Sequence, residues 1–221
     1  MRIASAAAEA GRNPRYIQIL AASKKQPPDA VREVAAAGII GFGENYLQEA
    51  LEKIPKCGEE LKWHFIGTIQ SNKTRTIAAA FDWVQTVASS RIAERLSLQR
   101  PESTPDLQVC IQVQLDSEGK HGGAPAGEVP RLADQINDLP RLRLRGLMGM
   151  PIPTRNLEEQ RRPFRTLHNL MEYLRDQGHD IDTLSMGMSG DLEAAILEGT
   201  TMLRIGTGIF GPRKVLPATA E

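Results

Sequence analysis

Strand-like and helix-like runs alternate along the whole of this chain, and that rhythm constrains its fold more than any single motif. Apolar, strand-forming runs fall at 16–24, 39–45, 62–67, 82–87, 107–115, 142–150, 183–189 and 202–207. Helical patterns fill the gaps, at about 28–38, 47–54, 72–80, 91–99, 128–136, 157–177 and 191–199, and one further helix, 3–10, precedes the first strand. Strand followed by helix, repeated, builds a parallel sheet, because each helix carries the chain back to the edge it left. Eight such units in 221 residues predict closure into a single (β/α)8 barrel, with the barrel proper at about 16–211. An open doubly wound sheet is the alternative, but its first strand-to-helix turn would carry a glycine fingerprint, and this one does not. No stretch reads as a linker or as low complexity, so one domain over 1–221 is expected.

Composition narrows the functional classes. Lysine plus arginine number 27 and aspartate plus glutamate 27, a balance that gives no overall pull toward nucleic acid or anionic lipid. No run approaches the ~18 apolar residues of a membrane helix. The start, MRIASAAAEAGR, lacks an apolar signal core. Cys57 and Cys110 fit neither a metal nor a redox spacing and read as free thiols of a reducing compartment. A cytoplasmic protein with no membrane or nucleic-acid partner is expected. No H-E-x-x-H occurs and no histidine pair has ligand spacing, so no metal site is expected.

Barrel chemistry sits at the C-terminal ends of the strands. The first strand ends in Ser23, Lys24 and Lys25. Alternation puts Leu20, Ala22 and Lys24 on one face and Ala21, Ser23 and Lys25 on the other, so only one of the two lysines points into the mouth. A lysine there can form a Schiff base once burial lowers its pKa from about 10.4, although a solvated loop lysine fits the same spacing. Strands seven and eight of a barrel often hold a phosphate. Here they end in Ser189 and in Gly206-Thr207-Gly208, which offer hydroxyls and a glycine backbone open to close approach. Residues 206–211 also match G-x-G-x-x-G, but that fingerprint opens a βαβ unit with an acid about 20 residues on, and this one closes the eighth strand. Arg204, two residues earlier, is either a salt-bridged strand arginine or a cation facing the ligand ring. His64 reads as a core histidine.

Four blocks carry a family resemblance: AASKKQP (21–27), FGENYLQE (42–49), WHFIGTIQSNK (63–73), and RGLMGMP (145–151) taken with LSMGMSGDLEAAILEGTTMLRIGTGIFG (184–211). In this order they resemble the pyridoxal phosphate homeostasis proteins, the proline synthase co-transcribed type, whose barrel is like the N-terminal domain of alanine racemase. The resemblance implies pyridoxal phosphate bound as an internal aldimine on Lys24. It implies a phosphate held by Ser189, Gly206 and Thr207, Arg204 at the pyridine nitrogen, Asn45 near the ring and Met186 packed close by. The sequence departs from the family at Thr68 and in the loop 116–123, where Lys120 is the matching lysine.

The resemblance also implies a cofactor-binding homeostasis protein, without established turnover, that serves pyridoxal phosphate and amino-acid balance; an open barrel mouth would let the aldehyde leave by transimination to free amines or to apo-enzymes. No catalytic residue is assigned. Racemisation needs a second acid or base on the far face of the substrate, and after the barrel the chain has no length for the racemase's second domain. A low-activity racemase-like enzyme is the alternative. A barrel forming a Schiff base with a sugar phosphate is a third reading. No dimerising element is visible, so a monomer is expected.

Overall fold

The structure is a computed structural model and describes residues 2–116 and 121–211. Eight strands close into one parallel barrel in sequence order. They are β1 (Gln18–Ala22), β2 (Gly41–Glu44), β3 (Lys62–Phe65), β4 (Trp83–Val87), β5 (Leu107–Val113), β6 (Leu142–Gly149), β7 (Thr183–Ser185) and β8 (Met202–Ile205). The expected (β/α)8 barrel is therefore the observed one, and the open sheet is excluded. Closure rests on β1 pairing with β8, which sets Leu20 beside Arg204 and Ala21 beside Ile205.

Outside the barrel lie α1 (Arg2–Glu9), α2 (Pro28–Ala36), α3 (Leu47–Lys53), α4 (Thr74–Ala80), α5 (Ser90–Gln99), α6 (Val129–Asn137), α7 (Leu157–Asp176), α8 (Leu192–Leu197) and α9 (Thr207–Phe210). Their inward faces follow helical spacing. On α6, Val129, Leu132, Ala133 and Ile136 are buried, and on α7 Phe164, Leu167, Met171 and Leu174 are. These side chains meet the outward faces of the strands in one large apolar shell that includes Phe42 and Phe81. Burying each such aromatic contributes roughly 2–3 kcal/mol. No helix among the described residues is long and apolar enough to cross a membrane, and Cys57 and Cys110 are buried free thiols.

Two boundaries differ from the sequence expectation in ways that matter. The first strand stops at Ala22, and Ser23 to Gln26 form a tight turn closed by Gln26 N–H donating to Ser23 O at 3.0 Å. Lys25 takes φ 62°, a conformation that a run of apolar residues followed by two lysines does not announce. The eighth strand stops at Ile205, and a ninth helix, unexpected from the pattern, begins at Thr207. Polar backbone needs hydrogen-bond partners, and short helical turns supply them where strands splay at the barrel rim.

The interior is small and unusually polar. Leu20, Ile66 and Met202 form an apolar cluster separate from the outer shell. Above and beside it stand His64, Gln85, Ser185 and Arg204, all buried. Ser185 on β7 hydrogen bonds Gln85 on β4, strands that share no edge, so that bond crosses the inside of the barrel.

The β5–β6 register shifts between Val109 and Cys110, and Gly146 faces this irregularity at φ 149°. A Cβ there would lie 1.8 Å from Thr183 O, a backbone atom of β7. Gly146→Ala should lower the unfolding free energy by roughly 3 kcal/mol or more, measured by urea denaturation. A loss of under ~1 kcal/mol would contradict the close β6–β7 approach.

Candidate functional site

At the C-terminal ends of the strands lies a cavity of about 230 Å³. Lys24, Asn45, Ser189, Arg204, Gly206 and Thr207 all contribute to its lining, so residues almost the full length of the chain apart come together. Lys24 and Arg204 are the ionisable side chains among the lining residues, and no carboxylate is there. Such a wall favours an anion. Among the described residues no group of three histidine, cysteine, aspartate or glutamate side chains could hold a metal ion.

Lys24 is half-buried and sits in the β1 turn, on the cavity side with Ala22, while Lys25 is exposed. The turn is tethered from behind. Lys25 N–H donates to Glu49 Oε1 at 2.5 Å. Lys53, one helical turn along α3 from Glu49, donates from Nζ to Ser23 O (2.8 Å), Glu49 Oε1 (2.7 Å) and Glu44 Oε1 (2.6 Å). An ammonium has three donors, and all three are used. Ser23 Oγ–H completes the cluster by donating to Glu44 Oε1 at 2.6 Å. Burial pushes the Glu44 carboxyl above the usual range, with Lys53 and Ser23 pulling against it. Glu44 ends its strand as expected, but it faces this cluster rather than the cavity. Sequence reasoning missed Lys53. The one available signal was its i,i+4 spacing from Glu49 on a short helix.

The opposite wall is made by the loops after β7 and β8. Ser189 Oγ accepts from Gly208 N–H at 3.2 Å, joining the two loops. Asp191 Oδ1 accepts Met188 N–H at 2.6 Å and holds the first loop in its curve. Arg2 on α1 pairs with Glu193 and donates from Nη1 to Ser189 O at 2.9 Å, fastening the loop from outside. Met186, directly after β7, is fully buried in the outer apolar shell, while Met150 and Met188 are the methionines that line the cavity.

Asn45 lies between the two walls. Its Nδ2 reaches Ile66 O at 3.5 Å, and its Oδ1 is buried with no protein hydrogen bond. Gly67 lets β3 approach so closely that a Cβ there would fall 2.0 Å from Asn45 O. Thr68 is exposed and lines a neighbouring groove rather than the cavity. Lys120 lies outside the described residues.

Arg204 fills the cavity floor. Its Nη1 donates to Ser185 O (2.7 Å) and Ser185 Oγ (2.8 Å), and its Nη2 to Gly149 O (2.8 Å). Burial lowers its pKa to about 10, which leaves it charged at neutral pH. A guanidinium has five N–H bonds. Three are engaged by these oxygens, and the remaining two belong to a group that lines the cavity. His64 lies deeper, stacked on Trp83 with ring centroids 5.0 Å apart, and burial pushes its pKa down to about 3. It is a core histidine, as its sequence setting implied.

The matching family model is that of the alanine racemase N-terminal domain, over residues 16–214. A relative from Pseudomonas aeruginosa, named pyridoxal phosphate homeostasis protein, is 52% identical over 213 residues, covering 96% of this chain and 91% of its own. The Escherichia coli protein of the same name is 46% identical over 216 residues, covering 96% and 92%. The solved structure of PipY from Synechococcus elongatus with PLP bound superposes with a TM-score of 0.84 at 33% identity, covering 96% of this chain and all of that one.

Two predictions follow from the buried groups. Lys53→Met should cost about 3–5 kcal/mol by leaving Glu44 buried without its cation, and adding Glu44→Leu should restore at least half of that in urea denaturation. For His64 the unfolded state takes up a proton near pH 6.5 and the folded state only near 3. Stability from this group is therefore complete above pH 6.5 and falls as pH drops through that window, by roughly 1.4 kcal/mol per unit. His64→Gln should flatten the slope of stability against pH there.

Proposed function

Because the chain belongs to the alanine racemase N-terminal domain family, we propose that it holds pyridoxal phosphate in the mouth of its barrel. Its role on this reading is to keep the cell's supply of that cofactor, and with it amino-acid balance, within bounds by passing cofactor to apo-enzymes. The carrying observation is the meeting in one cavity of an amine, a hydroxyl- and glycine-lined loop pair, and a buried guanidinium. Each suits one end of the same small molecule. Ser189 and Thr207 hydroxyls with the Gly206 backbone suit the phosphate, because glycine lets backbone approach an anion closely. Asn45 Oδ1, buried without a protein partner, suits a donor on the ring. The names of the relatives and the bound ligand of PipY agree with this fit.

Pyridoxal phosphate supplies an aldehyde and an electron-accepting ring. Lys24 Nζ is the amine that would hold it, as a Schiff base formed with loss of water. Arg204 donates hydrogen bonds and never accepts them, so it keeps a ring nitrogen beside it unprotonated and limits the ring as an electron sink. Among the described lining residues Lys24 and Arg204 are the ionisable side chains, and a guanidinium donates hydrogen bonds without accepting them. Racemisation needs a second acid or base on the opposite face. The lining thus supports holding and release over turnover.

Pyridoxal phosphate added to the purified protein should give a visible imine band. Borohydride should fix the ligand's mass on the peptide containing Lys24, and Lys24→Ala should lose both signals. A Lys24→Ala protein that still carries the ligand covalently would overturn the lysine assignment. Exchange of the α-proton of alanine faster than with free cofactor, and dependent on Lys24, would replace the carrier by the racemase-like enzyme.

A further inference from the structure

We propose that Ser185 and Gln85 are positioning residues that hold Arg204 at the cavity floor, through a one-directional hydrogen-bond string ending on neutral His64. Arg204 only donates. Ser185 Oγ must therefore accept from it, at 2.8 Å, which leaves the Ser185 hydroxyl hydrogen to be donated onward. Gln85 Oε1 accepts that hydrogen at 2.7 Å. The Gln85 amide is thereby oriented with Nε2 toward His64 Nδ1 at 2.9 Å and Met202 Sδ at 3.1 Å. Nδ1 must then be the bare, accepting nitrogen, and the His64 proton sits on Nε2.

The opposite amide orientation fails. It would replace the Gln85 oxygen that takes the Ser185 hydroxyl hydrogen by an NH2, leaving that hydrogen without its acceptor in a buried site. A charged His64 fails as well, because Nδ1–H would face the NH2 of Gln85. The low pKa imposed by burial agrees with the neutral ring. All four members are buried, so a break in the string strands a polar group away from water. The string spans from β8 through β7 and β4 to β3, and it fixes the direction in which the two remaining Arg204 N–H bonds can point. What those bonds meet rests on the proposed ligand; that they are held does not.

The test uses the full chain labelled with 15N at arginine and histidine, first without ligand. In the wild type, His64 should be protonated at Nε2 and bare at Nδ1, and the Arg204 side-chain N–H signals should exchange slowly. Gln85→Met, which keeps the volume but not the acceptor, should speed that exchange about tenfold or more. Ser97→Ala serves as control, since it removes a buried hydroxyl bonded to Pro140 O, a group outside the string, and should leave the exchange unchanged. Gln85→Glu separates positioning from mere packing. It still accepts from Ser185, so Arg204 should remain slow, but its second oxygen faces His64 and should move the proton to Nδ1. Titrated with pyridoxal phosphate, Gln85→Met should bind several-fold more weakly than Gln85→Glu. Protonation at Nδ1 in the wild type, or equal Arg204 exchange in the wild type and Gln85→Met, overturns the proposal. A wild type that takes up no pyridoxal phosphate overturns the proposed function instead, and leaves the ligand-free results to decide the string.

Discussion

Everything at the mouth depends on the pairing of β1 with β8. Four register pairs, from Gln18 beside Met202 to Ala21 beside Ile205, turn an extended sheet into a closed one. Without them the two ends of the chain would lie at opposite edges, and Lys24 would be a full sheet width from Arg204, Gly206 and Thr207. Closure also removes both sheet edges, so no strand is left with a row of open backbone groups. The site is thus a product of topology before it is a product of side chains.

Within that frame the barrel separates two kinds of interaction. The outer shell between strands and helices is apolar and supplies the bulk of the burial. The inside is narrow, and its polar side chains bond to one another on neighbouring strands and, between Ser185 and Gln85, across the lumen. A polar lumen contributes less to stability than an aliphatic one would, because each hydrogen bond formed replaces bonds to water. It gives direction instead. Each link of Arg204–Ser185–Gln85–His64 has one donor and one acceptor, and the three directions agree along the string.

Much of this was legible from residues alone. The eight-fold rhythm gave the architecture, because binary patterns of period two and near 3.6 follow directly from strand and helix geometry. Strand ends gave Lys24, Ser189, Gly206 and Thr207, the eighth strand gave Arg204 and the family resemblance gave Asn45, and the structure brings all six to one cavity. Met186 came from block similarity alone, which carries no information on the apolar shell it packs into. The tethers behind the β1 turn were invisible because they join residues from three elements. Nothing in 23, 25, 44, 49 and 53 as a list says that these positions share one hydrogen-bonded cluster behind the turn. The lumen string was hidden for the same reason: Gln85 and Ser185 are ordinary strand residues until β4 and β7 face each other across the barrel. Sequence periodicity reports which face a residue takes; it does not report who stands opposite.

The tethered turn bears on how rapidly and selectively a carbonyl compound could be captured. A lysine at the end of a free loop must surrender backbone freedom when its amine is tied down, and each ordered residue costs about 1–2 kcal/mol. Here the backbone around Lys24 is already confined by Lys53, Glu49 and the closing bond to Gln26 before any ligand arrives. Its neighbour Lys25 is turned outward, and Lys53 is sealed with all three of its donors occupied. Of these three lysines Lys24 is the one that lines the cavity, and it does so on backbone that is already ordered.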